Sequence, residues 1–253
     1  MAATAPAPTD DAEDPIALLV RKLRLRDDLT EHEAQVLRGA VERVEHCKEG
    51  HIMAAAGQPL KHSTLLIDGI VARHKDLAAG QRQITELHVA GDFVDLHGYL
   101  LKRLEHHVSA LTPARIALFP HAALTRITER EPHLARLLWL STLMDAAVQR
   151  ERILSIGRRS ALSRIAHLIC ELFVRLDVVG LIEDRSFRLP ITQLDLADAT
   201  GLTSVHVNRM LRQLRSEGLM TFRNSVVEIH DLEGLERVAE FDRSYLFLNS
   251  EPR

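Results

Sequence analysis

The chain has 253 residues, 46% of them hydrophobic and 26% charged, with a formal net charge of −3. This is an ordinary folded composition with room for two domains, and it excludes a low-complexity or strongly basic protein. No apolar run approaches the ~20 residues of a membrane span and no basic-then-apolar leader opens the chain, so a cytoplasmic protein with no membrane partner is expected. Two cysteines, Cys47 and Cys170, exclude a disulfide framework and a four-cysteine zinc or iron–sulfur site within one chain.

Residues 1–14, rich in Ala, Pro and acids, predict disorder. From Pro15 to about Glu45, Leu18, Leu19, Leu23, Leu29, Val36 and Leu37 outline short helices. Between Ile52 and Phe119 the pattern changes. Short apolar segments (Ser63 to Ile67, Ile70 to His74, Ile84 to Val89, Ile116 to Phe119) alternate with turns at Gly57-Gln58-Pro59, Asp68-Gly69, Ala79-Gly80 and Gly91-Asp92, as in an antiparallel roll or barrel. Histidine is over-used, with 14 copies. His88, His97, His106, His107 and His121 fall in or beside the roll, so a metal or haem site is an alternative reading of it, although no H-x-x-x-H or H-E-x-x-H helix motif is present.

Pro132 suits the start of a helix, and the ~25 residues after it span about 37 Å. Leu137, Leu140, Met144, Ala147 and Leu154 form one apolar stripe and are assigned to dimerisation; Trp139, Leu143, Ala146, Ile153 and Ile156 form a second. A helix with two apolar faces fits its own roll on one side and a second subunit on the other. Gly157 is expected to end it, with Arg158-Arg159-Ser160 as a hinge before a packed helix carrying Ile165, Ile169, Leu172 and an inert Cys170.

The segment Ile191 to Met220 then describes a helix-turn-helix. Thr192 can cap a first helix bearing Leu194, Leu196 and Ala197, Gly201 accepts the left-handed backbone of the turn, and Thr203 can cap the second helix. At ~100° per residue from Ser204, Val207, Met210, Leu211 and Leu214 fall at roughly 240° to 340°, while Ser204, Val205, Asn208, Arg209 and Arg212 fall between about 0° and 140°. One side packs and the other can read DNA. Leu219 to Phe222, a turn at Arg223-Asn224-Ser225 and Val226 to Ile229 predict a wing hairpin with Arg223 at its tip, suited to a phosphate. Leu232, Leu235, Val238, Ala239 and Phe241 predict an amphipathic helix before a packed tail at Tyr245 to Leu248. From Arg158 to His230 there are ten arginines and eight acids, so this segment is +2 and the remainder −5. A DNA contact here rests on local arginines and helix ends rather than on a basic clamp.

These residues, with the Gly91-Asp92-Phe93 turn late in the roll, the helix after Pro132 and Gly218-Leu219-Met220 after the helix-turn-helix, make the chain resemble the Crp/Fnr transcription regulators over nearly its whole length. The resemblance implies an α+β fold: an N-terminal β jelly-roll of the cyclic-nucleotide-binding type, a long dimerisation helix and a C-terminal winged helix-turn-helix. It divides the chain into residues 1–14, a sensor roll at 15–130, dimerisation helix and hinge at 131–157, and a DNA-binding domain at 158–253. It implies base reading by Ser204, Val205 and Arg209 and phosphate contacts by Gln193, Thr203 and His206. Asn208, Arg212 and Arg223 join them from the polar face and the wing.

Two departures matter. Val205 stands where many members carry an acid that accepts from cytosine, so a different half-site is expected. Counting from Gly91, Leu96 stands where cyclic-nucleotide binders place a glutamate for the ribose, and His106-His107 where they place Arg-Ser for the cyclic phosphate. Leucine cannot accept that hydrogen bond and histidine lacks the arginine fork, so gating by cyclic AMP through the usual contacts is not expected. No cofactor is assigned. A small-molecule effector of unknown identity stays open, with Leu96, Tyr99, His106 and His107 as its candidate pocket. The N-terminal cysteine cluster of oxygen-sensing members is absent, and that sensing mode is not carried over.

The expected protein is a homodimeric DNA-binding regulator on a palindromic operator, with no catalysis. The resemblance makes it an activator, with RNA polymerase as a further partner. Two alternatives remain: a cyclic-nucleotide-type regulatory module acting on a partner protein, and a histidine-based metal or haem sensor.

Overall fold

The computed structural model describes residues 14–252. Two short helices, α1 (Ala17–Arg24) and α2 (Glu31–Gly39), open the chain, the second started by a Thr30–Glu33 capping box. Disorder expected over residues 1–14 falls outside the described residues except at Asp14, whose carboxylate accepts from Arg38 Nη2 at 2.7 Å.

Seven strands follow: β1 (Arg43–Cys47), β2 (Ile52–Ala54), β3 (His62–Asp68), β4 (Val71–Asp76), β5 (Arg82–His88), β6 (His107–Ala110) and β7 (Ala114–Pro120), with the short helix α3 (Gly98–Leu101) between β5 and β6. They form two antiparallel sheets, β1-β7-β3 and β2-β6-β4-β5. β1 begins before the predicted β region, pairing Arg43 with Leu118 through Cys47 with Ala114. Its exposed outer residues gave it no alternating apolar signal.

The period of two along each strand feeds two cores at once. Leu66, Ile116 and Leu118 point into the roll with Val71 and Val108, while Leu65, Ala117 and Phe119 point outward under α1, α2, α4 (His121–Arg130) and the long helix α5 (Pro132–Arg158). The outer face of the second sheet, including Ala72, Ile84 and Leu87, joins the core of the C-terminal domain.

α5 runs one residue past its expected end at Gly157, taking in Arg158, the first residue of the expected hinge. Gly157 lies inside it, and only Arg159 and Ser160 separate it from α6 (Ala161–Val178), which Ser160 caps through Ser163 N. Gly157 has no left-handed backbone to offer there, so the stop comes instead at Arg159, which turns extended at ψ 149°.

α5 also corrects the dimerisation stripe. Leu137 is fully buried and Ala147 nearly so, and Leu140 and Met144 are half-buried, because this stripe packs on the protein's own helices and roll. Of the five residues assigned, only Leu154 is exposed. The open stripe is the second one, with Trp139, Leu143 and Ile153 exposed. The two stripes are alike in hydrophobicity, and only the position of the roll tells them apart.

The C-terminal domain comprises α6, β8 (Ser186–Arg188), α7 (Gln193–Thr200), α8 (Ser204–Ser216), β9 (Met220–Arg223), β10 (Val226–Ile229) and α9 (Leu232–Ala239), ending in a 3₁₀ turn at Arg243–Leu246. β8 adds an unpredicted third strand to the wing, in the order β8-β10-β9. Cys170 is buried in this core and its thiol is pushed up, chiefly by burial, in keeping with an inert residue. Among the described residues no helix is long and apolar enough to cross a membrane.

Candidate nucleic-acid interface

α7 starts with a reciprocal cap: Thr192 Oγ1 accepts from Asp195 N at 3.1 Å and Asp195 Oδ2 accepts from Thr192 N at 2.9 Å. It ends at Gly201, at φ 66° and ψ 36°, where Leu202 N closes the turn onto Ala197 O at 3.1 Å. Thr203 Oγ1 then accepts from His206 N at 3.3 Å and starts α8. Thr192, Gly201 and Thr203 thus cap and turn the two helices as expected. Leu194 differs: it lies on the outer side of α7 and is exposed, while Leu196 and Ala197 are buried.

Val207, Met210 and Leu214 are buried beneath α8, so its opposite face is open. Val205 is 79% exposed at the first turn. Thr203, His206, Arg209 and Arg212 are also exposed, with Ser204 and Asn208 half-buried beside them. Asn208 Nδ2 donates to Gln193 Oε1 at 3.2 Å, linking the reading helix to the first turn of α7. No carboxylate occupies this face of α8.

The wing closes through Asn224 and Ser225, both left-handed at φ 50° and 61°, which is the two-residue hairpin geometry that matches strand twist. Arg223 is the last residue of β9, one position before that tip, and is exposed. Sequence reasoning left out Arg215. With Gln193, Asn208, Leu211, Arg212 and Phe222 it lines a depression of about 270 Å³ between α7, α8 and the wing. Its angle of about 20° from Ser204 is the signal that could have placed it there.

The candidate effector pocket does not form as expected. Leu96 and Tyr99 line an apolar groove of about 440 Å³ with Leu100, Leu138, Trp139 and Thr142. His106 and His107 lie elsewhere: His106 Nδ1 is 3.1 Å from Glu105 Oε1 with its ring 5.4 Å from that of His97, and His107 stacks on His74 across the β4–β6 pair. β6 begins only at His107, so His106 belongs to the bend before it and the two neighbours take different partners. Burial pushes His97 down to about 3 and lowers His106, and the Arg73 charge adds to both shifts. At neutral pH the His97 ring carries no charge for a phosphate.

The arginine inside the roll is Arg73, which the sequence reading missed. It sits at an inward position of β4, two residues from Val71. Its guanidinium is fully committed, donating to Val94 O and Glu86 Oε2 at 2.7 Å and to Asp145 Oδ2 on α5 at 2.8 Å. Among the described residues no three His, Cys, Asp or Glu side chains converge as metal ligands.

The Gly91-Asp92-Phe93 turn joins the two domains. Asp92 pairs with Lys22 of α1 and accepts from Arg175 Nη2 of α6 at 2.6 Å. Burial opposes its charge, but Lys22 and Arg175 hold the carboxyl well below the usual range. Arg175 Nη1 continues to Glu171 at 3.1 Å, which Arg152 of α5 reaches at 3.2 Å and the Tyr245 hydroxyl at 3.1 Å.

A β-roll joined by a long helix to a winged helix-turn-helix with an open reading face defines a DNA-binding transcription regulator. Residues 44–131 match the cyclic nucleotide-binding domain and residues 163–238 the Crp-like helix-turn-helix domain. The fumarate and nitrate reduction regulatory protein of Escherichia coli strain K12 is 26% identical over 219 residues, covering 85% of this chain and 86% of that protein. Its counterpart in Yersinia pestis is 25% identical over 213 residues, covering 83% and 84%. FixK2 from Bradyrhizobium japonicum shares the fold at a TM-score of 0.69 and 21% identity, over 78% of this chain and 96% of that one. A CooA mutant from Carboxydothermus hydrogenoformans does so at 0.64 and 14%, over 84% and 93%. The chain belongs to the Crp/Fnr family of transcription regulators, which are not enzymes.

Proposed function

We propose that this regulator binds a palindromic operator as a homodimer in the cytoplasm, reading each half-site with Ser204, Val205 and Arg209 and holding the backbone with Gln193, Thr203, His206, Asn208, Arg212 and Arg223. The observation that carries the reading is the open face of α8. Arg209, Arg212 and Arg223 form no ion pair among the described residues, and α8 itself carries no carboxylate to repel phosphate. Val205 offers only apolar contact, which suits a thymine methyl. Selection of bound duplexes from a random pool tests the reading: an enriched inverted repeat supports it, and no enrichment overturns it.

The exposed stripe of α5 supports the dimer. Trp139, Leu143, Ala146, Arg150, Ile153 and Gly157 follow one another at steps of four and three, the repeat of a two-helix seam. Gly157 has no atom within 4 Å of where a Cβ would sit, leaving room for a second helix to approach closely. The domain boundaries near residues 130 and 158 follow from placing this seam between roll and reader.

The regulator acts as an activator that recruits RNA polymerase, and it does not answer cyclic AMP through the family's usual contacts. Arg73 supports that second statement, since its guanidinium is already shared between Glu86 and Asp145. An effector, if apolar, has the groove of Leu96, Tyr99 and Trp139 beside the seam. From there it can shift α5 and the spacing of the two reading helices.

A further inference from the structure

The first helix of the helix-turn-helix is also held by the roll. Arg82, the first residue of β5, donates from Nε to Asp198 Oδ2 at 2.7 Å and from Nη2 to Asp195 Oδ1 at 2.5 Å, both on α7. The next residue adds a third bond, Gln83 Nε2 to Asp198 O at 2.6 Å. Beneath these bonds Ile84 packs in one core with Leu196, Ala197 and Ala199.

The fork is specific in its chemistry. Asp195 Oδ2 is occupied by the Thr192 cap, so only its second oxygen is left for Arg82. Asp198 gives Arg82 its side chain and Gln83 its backbone. Burial works against the Arg82 charge, yet the two carboxylates more than offset it and hold the guanidinium protonated. A planar guanidinium bridging two carboxylates one helical turn apart fixes the rotation of α7 as well as its distance. α8 follows α7 after a three-residue turn, so its orientation is fixed with it.

We propose that Arg82 is a positioning residue for operator recognition: by clamping α7 to the β4–β5 hairpin it sets the separation of the two reading helices, and so the half-site spacing the dimer accepts. This rests on the dimeric DNA-binding reading above. It assigns Arg82 no contact with DNA and no part in which bases are read.

The test uses the full-length protein and a set of duplexes carrying the selected half-site as an inverted repeat, with the central spacer lengthened or shortened one base pair at a time. Wild type is expected to prefer one spacing. Arg82→Ala and Asp198→Asn are expected to keep the same half-site sequence and dimer mass while the preference for that spacing falls roughly fivefold or more. Arg82→Lys keeps the charge without the fork and should fall between them. The exchanged pair Arg82→Asp with Asp198→Arg should recover part of the preference, which a merely structural role would not predict. Variants that bind as wild type does at every spacing overturn the clamp and leave the DNA-binding reading intact. Variants that lose base preference together with spacing also overturn it, since Arg82 would then shape the reading face itself. Failure of wild type to bind any duplex overturns the underlying reading, and the clamp with it. Should Arg82→Ala not fold, Asp198→Asn decides.

Discussion

Leu137 and Trp139 stand two residues apart on α5 and face opposite ways, one fully buried and the other 66% exposed. Trp139→Glu, or Ile153→Glu lower on the same stripe, is therefore expected to shift the protein toward monomer in light scattering while its fold is retained. Leu137→Ala should do the reverse: lose about 2–5 kcal/mol in denaturant unfolding and leave the oligomeric mass unchanged. A Trp139→Glu variant that stays dimeric would move the interface elsewhere.

Arg209→Ala is expected to cost about 1–3 kcal/mol of operator affinity and to relax preference at one base position of each half-site. Arg212→Ala and Arg223→Ala should weaken all sequences alike and lower the steepness of the salt dependence by about one ion each. Titrations at several salt concentrations separate the two patterns, and a position-specific loss from Arg223→Ala would reassign the wing to base reading.

Restoring an acid at Val205 gives a gain-of-contact test. Val205→Glu puts an acceptor at an open, solvent-exposed site on the first turn of α8. The enriched half-site is expected to gain a cytosine whose amino group donates to it, at one position only. An unchanged half-site would place Val205 outside the base contacts.

His167 on α6 is buried between the rings of Phe241 and Tyr245, whose centroids lie 5.2 and 5.9 Å from its own. Burial, ahead of the neighbouring charges, pushes it down from 6.5 to about 4. The folded protein thus binds fewer protons than the unfolded chain between those values. Its contribution is complete above pH 6.5 and is lost as pH falls toward 4, on the order of 3 kcal/mol. Melting curves between pH 8 and 5 should show His167→Gln with a shallower acid decline than wild type. Equal slopes would mean that this ring is already charged in the fold.

The sequence is most legible where one local rule decides the outcome. Thr192, Gly201 and Thr203 mark the ends of two helices because cap and turn chemistry is local, and the packed face of α8 follows from Val207, Met210 and Leu214 alone. Placement against distant parts of the chain is not local. Nothing within α5 tells the Leu137 stripe from the Trp139 stripe, and Arg73 and Arg82 read as ordinary strand charges until Asp145, Asp195 and Asp198 are brought up from 72, 113 and 116 residues away. Leu96 and Tyr99 meet in one groove, whereas His106 and His107, although adjacent in sequence, straddle the start of a strand and meet different partners.

Only Arg159 and Ser160 separate α5 from α6, so nearly all relative rotation of the two domains must pass through a handful of backbone torsions. The 13 residues of α8 make a rod about 20 Å long. Swinging such a rod by about 10° about one end carries the other roughly 3.4 Å, the rise of one base pair. A torsional change small enough to leave every helix intact is therefore already a full step along the double helix, and this joint converts small angles into whole units of sequence register.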